Sequence, residues 1–343
     1  MRRKKLHFLV LDCETATLPF ANEISKGDSE KKKRIAISKP IIYDIAWQVI
    51  DRMGNVYDKK QFLVAETFSV PSVFDTAYYK DKRPLYLEMI RRKEISVVPW
   101  DAIAEELKAD VEKVDFVGAF NSMFDFIKAI PFTELYIKKL YSEDFYEWEK
   151  TQRRMCSKIA TERYKRDEGK PAKDTETFHF RDIDKPLFDI WGMCCESLLN
   201  RDAYRKLCLE LGMVSASGDF FKTSAEASFR YLAEKYDFIE AHTALADVEI
   251  ESYILSKILM KKAVTQGIQF FPFRMLGNTS DFLKRGRGLT EQHFNVVIDM
   301  MDSKIESYLE DVEGDERSLS NYGKGLKNRM DFLKALRDEK FYY

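Results

Sequence analysis

The stretch FLVLDCETATLP, residues 8–19, sets two carboxylates, Asp12 and Glu14, at the end of an almost wholly apolar run. The run reads as a buried strand, and in an extended strand residues two apart share a face while Cys13 points to the other. Two acids aimed at one spot repel each other and resist ionising together, a cost that a cation relieves.

Outward from this strand, PIIYDIAWQVID (40–51), the turn RMGN and VYDKKQFLVAE (56–66) read as two more strands joined as a hairpin, which makes an antiparallel meander of three. Helical periodicity follows over 83–93 and in WDAIAEELKADVEKV (100–114). DFVGAF (115–120) then reads as a short buried strand running into a helix that Asn121 would cap. Residues 134–166, long, aromatic and charged, lead into the loop-like DEGKPAKD, and the stretch of about 134–176 reads as an inserted helical segment. The core resumes with KPLFDI as a strand and a helix over 191–211. A hairpin GMVSASGDFFKTS turning at Ser217 and Gly218 follows, then helices over 225–236 and 243–262. Strands and helices mixed in this way predict an α/β protein.

With 343 residues, 45% hydrophobic and 33% charged, the chain has enough apolar material for one large core or for a domain with an appendage, and composition excludes fibrous and disordered classes. The net charge of -1 means that a polyanion has to be met by a local basic patch. Cys13, Cys156, Cys194, Cys195 and Cys208 are odd in number and form no CxxC pair, which favours free thiols and a cytoplasmic setting. The start, MRRKKLHFLVLD, has a basic flank, but its apolar run stops at Asp12, too short for a signal sequence, and no run is long enough for a membrane span.

Two further stretches bear on the opening pair. In GAFNSMFDF, Asn121 and Asp125 are spaced i, i+4 and so are expected on one helix face. In EAHTALADVEIE, His242 lies just before a helix that Thr243 would cap, with Asp247 in its first turns. Asp12, Glu14, Asp125 and Asp247 would then form a four-carboxylate cluster with one histidine beside it, a hard-oxygen set that suits Mg²⁺ or Mn²⁺.

At these residues the sequence resembles the DEDDh 3′–5′ exonucleases, the family that includes the epsilon proofreading subunit of bacterial DNA polymerases. That family carries DxE on its first strand, NxxFD at a strand–helix junction and HxAxxD near its last core helix. Here the three read Asp12 to Glu14 with Cys13 between them, Asn121 to Asp125 through Phe124, and His242 to Asp247 through Ala244, in the same order. The resemblance covers about residues 6–262. It departs where Thr15, Ala16 and Thr17 stand in place of the frequent TTG, and where the stretch between Asp125 and KPLFDI is longer than a minimal member needs.

The resemblance implies a ribonuclease-H-like mixed sheet flanked by helices, within a nuclease domain of residues 1–264, and removal of nucleotides from 3′ ends. Hydrolysis of a phosphodiester needs an activated water, neutralised phosphoryl oxygens and help for the departing oxygen, which two divalent ions about 4 Å apart supply. Asp12 is assigned to bridge the ions, Glu14 and Asp247 to the water-activating ion and Asp125 to the second, with His242 as general base. Thr15, Asn121 and Phe124 are expected around the terminal nucleotide, and the charged loop KGDSEKKKR (26–34) is a candidate phosphate grip. DNA with a single-stranded 3′ end is the leading substrate. An RNA exonuclease of the same superfamily and a non-catalytic adaptor are the alternatives. Residues 265–343 read as a C-terminal helical extension whose Phe270, Phe271 and Phe273 would dock on the core. Its Lys284, Arg285 and Arg287 would meet phosphate, and the helices beyond would hold a replication or repair partner.

Overall fold

The computed structural model describes residues 5–161, 177–199, 201–215 and 220–260, with scattered positions between 291 and 338. Along the chain, β1 (His7–Ala16) leads to α1 (Ala21–Ser25), α2 (Ser29–Ser38) and the hairpin of β2 (Ile41–Asp51) and β3 (Val56–Val64). The short α3 (Ala65–Phe68) and α4 (Pro71–Phe74), a 3-10 turn (Lys80–Lys82) and α5 (Arg83–Arg91) precede β4 (Ser96–Val98), α6 (Trp100–Lys113) and β5 (Phe116–Ala119). A π-helical turn (Met123–Ala129) runs directly into α7 (Ile130–Leu140), followed by α8 (Phe145–Thr161), β6 (Thr177–Phe180) and β7 (Ile183–Asp189). The described helices close with α9 (Ile190–Leu198), α10 (Asp202–Glu210), α11 (Ala225–Leu232) and α12 (Ala244–Leu259).

The strands form one mixed sheet in the order β4-β3-β2-β1-β5-β7-β6, so the chain is an α/β protein. Alternation along β1 divides two cores. Leu9, Leu11 and Cys13 face the helices α6, α7 and α8, whereas Phe8 and Val10 face α9 to α12. β2 is buried over its whole length and pairs antiparallel with β1 and β3, the meander read from the sequence. β5 lies parallel to β1, and β7 parallel to β5, so the carboxyl ends of all three open at one edge. Gly118 makes this close packing possible, because a Cβ there would stand 2.5 Å from the Phe188 ring. Ile298, Ile305 and Met330 are buried in the same core as α12, so part of the C-terminal stretch packs there. The residues expected to dock or bind phosphate in that stretch, Phe270, Phe271, Phe273, Lys284, Arg285 and Arg287, lie outside the described residues, as does the hairpin turn at Ser217 and Gly218. Val214 and Phe221, on either side of that turn, do form an antiparallel bridge.

Several local expectations are corrected. The charged stretch 26–34 is largely helical: Asp28 accepts from the Glu30 and Lys31 amides at 3.0 and 3.1 Å and starts α2. The expected helix over 191–211 is two helices. The apolar pattern runs through the break, and the buried Arg205 marks it by donating to the Leu199 carbonyl at 2.7 Å. β6 was not foreseen because its turn to β7 is made by Arg181 and Asp182, both at positive φ (47° and 76°), without the glycine or asparagine that usually announces such a turn. In the stretch read as an insertion, the helices α7 and α8 are present. Helical structure already begins at Met123, and residues 162–176 lie outside the described residues.

Candidate functional site

β1 carries Asp12 and Glu14 on its α12 face, where Glu14 stands directly opposite Asp44 of β2. The pairing slips between Glu14 and Thr15, a bulge at the point where the strand leaves the acids behind, and Thr15 sits there partly buried. The DxE pair is therefore inside the paired strand and not at its end.

The next contribution comes from the end of β5. Asn121 does not cap the following helix: it adopts φ +72°, and its amide donates to Asp189 Oδ1 at 3.3 Å. The helix after it is π-wound from Met123, so the i, i+4 argument for a shared face of Asn121 and Asp125 does not apply. Ser122 locks the turn, accepting from the Ala119 amide at 3.0 Å and donating to the Phe188 carbonyl at 2.5 Å. The wider winding turns Asp125 back to β1, where the Cys13 thiol donates to its Oδ1 at 2.9 Å. Phe124 is partly buried against the core on the α6–α8 side.

His242 precedes α12 at φ +51°. Its imidazole lies flat on Tyr79, with centroids 4.6 Å apart and planes within 14°. Lys82 ties down the same turn through hydrogen bonds to the carbonyls of Ala241 and His242, the latter at 2.7 Å, while its ammonium sits 4.4 Å above the Tyr79 ring. Thr243 occupies the N-cap position of α12 but makes no side-chain cap bond. The amide of Ala244 donates instead to Asp44 Oδ2 at 3.1 Å, so β2 caps the helix. Tyr86 and Gln61 also donate to Asp44, at 2.8 and 2.9 Å.

Ligand atoms of Glu14, His242 and Asp247 lie within 4.8 Å of one another, a spacing that would admit a metal ion. His242 Nδ1 is 3.6 Å from Glu240 Oε2 and 3.8 Å from Asp247 Oδ2. Asp12 and Asp125 are not in this triplet, but they belong to the same charged neighbourhood. Burial first, and then the carboxylates of Glu251, Asp125, Glu14 and Asp247, hold the proton on Asp12 well above the usual carboxylate range. Glu14 is raised in the same way by burial and by Asp247 and Asp44, against Lys82. Burial and Glu240 push Asp247 up to about 8, and burial pushes Asp125 up to about 7. His242 moves the other way: burial and the Lys82 charge lower it, which keeps the ring neutral near pH 7.

Sequence reasoning missed several members of this neighbourhood. Glu251, four residues beyond Asp247 on α12, is 3% exposed and raised well above its usual range by burial and by Asp125 and Asp247. Its signal was the i+4 spacing, read for Asn121 and Asp125 but not here. Asp189 closes β7 and caps α9 through the Gly192 amide at 3.2 Å. Burial pushes it up to about 7, and Glu240 likewise. Among the described residues, Asp247 Oδ1, Glu251 Oε2 and Asp189 Oδ2 are buried oxygens with no hydrogen-bond partner. Nothing in the sequence singled out Tyr79 or Lys82. No family model, curated protein or solved structure matched the chain when compared with it.

Proposed function

We propose that the chain is a metal-dependent 3′-to-5′ exonuclease of the DEDDh type, acting on DNA with single-stranded 3′ ends and built on a ribonuclease-H-like sheet. One observation carries the reading: Asp12, Glu14, Asp125, His242 and Asp247, from three distant stretches, gather beside buried carboxylate oxygens that meet no donor among the described residues. Such oxygens are costly to bury unless a cation joins them. The donor set is wholly hard oxygen apart from His242, which fits Mg²⁺ or Mn²⁺ and not a thiolate-loving metal.

Asp12, Glu14, Asp125 and Asp247 would hold two such ions, which when bound offset charge on the scissile phosphate and make water a better nucleophile. His242, whose Nδ1 lies 3.6 Å from Glu240 Oε2 and 3.8 Å from Asp247 Oδ2, would take a proton from the attacking water as general base. Tyr79 and Lys82 keep the ring from turning away. Thr15, at the bulge, and Asn121, beyond β5, would line the approach for the terminal nucleotide, whereas Phe124 packs against the core on the α6–α8 side.

The test is an end-labelled single-stranded DNA, duplex DNA and RNA of matched sequence, each with Mg²⁺ or Mn²⁺. Stepwise release of mononucleotides from the 3′ end, abolished by chelator, is the expected result. Faster digestion of the RNA would move the substrate to RNA. Cleavage of a circular single strand would make the enzyme an endonuclease, and no hydrolysis under any condition would leave an adaptor.

A further inference from the structure

The turn between α4 and α5 presents an aromatic ring that neither core uses. Tyr78 is 80% exposed, so at least one face of its ring is open to solvent. A lone exposed tyrosine needs no explanation. This one ends a row of ring contacts: it meets Tyr79 edge to face, at 4.8 Å and 88°, and Tyr79 lies flat on His242. The turn is fixed at both ends to the segments that carry the site. Thr76 Oγ1 accepts from the Thr17 amide at 2.8 Å, three residues past Glu14, and Lys82 holds the carbonyl of His242. Lys80, two residues along the chain, is close enough to Lys32 of α2 for their charges to interact, with Asp75 the nearby acid, and neither lysine forms an ion pair among the described residues.

We propose that Tyr78 is a stacking platform for an unpaired base of a single-stranded polynucleotide, with Lys80 and Lys32 meeting the phosphates on either side of it. This rests on the nuclease reading, since the row of rings leads from open solvent to His242. An aromatic face with flanking ammonium groups takes any base, because stacking does not read sequence, and it refuses a base held in a duplex. The platform therefore selects for strand separation near the 3′ end and not for a particular nucleotide.

The experiment uses the full chain with Ca²⁺ and a 5′-fluorescein single strand of ten nucleotides, checked on a gel to be intact, with binding read by anisotropy. Tyr78→Ala should weaken binding roughly 5- to 100-fold, as loss of one stacked base predicts, with an unchanged melting temperature. Tyr78→Trp should restore it. Lys32→Ala with Lys80→Ala should make the salt dependence shallower by about 1 in log–log slope. An abasic strand should bind wild type and Tyr78→Ala alike. Equal binding of the normal strand by wild type and Tyr78→Ala overturns the platform. If wild type cleaves DNA with Mg²⁺ while Tyr78→Ala changes nothing, only the platform fails. If wild type neither binds nor cleaves any strand, the nuclease reading fails with it.

Discussion

Asp51, at one end of β2, and the acids gathered around Glu14, at the other, lie against the same sheet and behave in opposite ways. Asp51 accepts from the Met53 and Asn55 amides, the Asn55 side chain, the Tyr57 hydroxyl and Lys5. Burial works against its ionisation, yet Asn55 and Lys5 more than offset it and hold the carboxyl well below the usual range. Asp110 is likewise lowered, with Lys113, Lys60 and the Trp47 indole overcoming burial. Every leading neighbour of Asp12 is instead another acid. An acid that serves the fold brings its donors with it. Asp12 and Glu14 face mainly other acids, Lys82 aside, and Asp247 Oδ1 and Glu251 Oε2 have no hydrogen-bond partner among the described residues, a difference that marks where an outside cation would fit.

The strongest way to break the comparison is Asp12→Ala or Asp247→Ala. Each should lower hydrolysis by roughly 10⁴-fold or more, as removal of one member of a concerted set does. Without metal the melting temperature should hold or rise, because a carboxylate repulsion has gone. Full activity in either purified variant would remove the mechanism.

His242→Ala should cost roughly 10²- to 10⁴-fold in turnover, the contribution of a positioned base. Because His242 falls within the Glu14 and Asp247 triplet, calorimetric titration with Mn²⁺ sharpens the assignment. Affinity close to wild type keeps it as base, whereas lost affinity makes it a ligand.

At the other end, Asp51→Ala removes the acceptor shared by the Met53 and Asn55 amides, the Asn55 side chain and the Tyr57 hydroxyl, all on exposed residues, and should destabilise the chain by about 1–2 kcal/mol, read by urea unfolding, while leaving catalysis per folded molecule unchanged. A neutral result there would mean that the contrast between the two ends is not one of donors.

The smallest effect is in pH. Asp44 is pushed up to about 6, mainly by burial, while Glu240 and Asp189 titrate near 7 and Asp247 near 8. Folded values above unfolded ones mean that the native state binds more protons, so this stability is complete below about pH 4 and is lost as pH rises through 6 to 8. The melting temperature of metal-free protein should therefore fall by several degrees between pH 5.5 and 8, and Mg²⁺ or Mn²⁺ should restore more at pH 8 than at pH 5.5. Asp51, with its lowered value, gives the opposite slope, but only well below pH 4. A flat curve from 5.5 to 8 would show that the site acids are not held protonated.

The three-stranded meander and the two faces of β1 were legible because apolar runs bounded by the turn RMGN report strands directly, whereas the mixed sheet was implied only by the family resemblance. The stretches carrying Asp12, Asn121 and His242 were singled out as a group because their three motifs stand in the order of the family they resemble. What escaped reading was geometry set by partners far away in sequence. Asn121 turns left-handed, and the helix after it is π-wound, which no spacing rule reports. Asp44 was not singled out in the sequence, since its partners Tyr86, Gln61 and Ala244 are 42, 17 and 200 residues away. Arg205 marks a helix break only through where its guanidinium lands.

Asp44 also fixes how far apart the strand-borne and helix-borne acids can be. One carboxylate is set opposite Glu14 by strand register and bonded to the first amide of α12, so the gap between Glu14 and Asp247 is gauged by backbone and not by pliable side chains. A jaw gauged in this way tolerates little change in the radius of what it grips. Asp44→Ala should loosen it, narrowing the gap in metal affinity between Mg²⁺ and the larger Ca²⁺, so that ion selectivity becomes a reading of a helix cap.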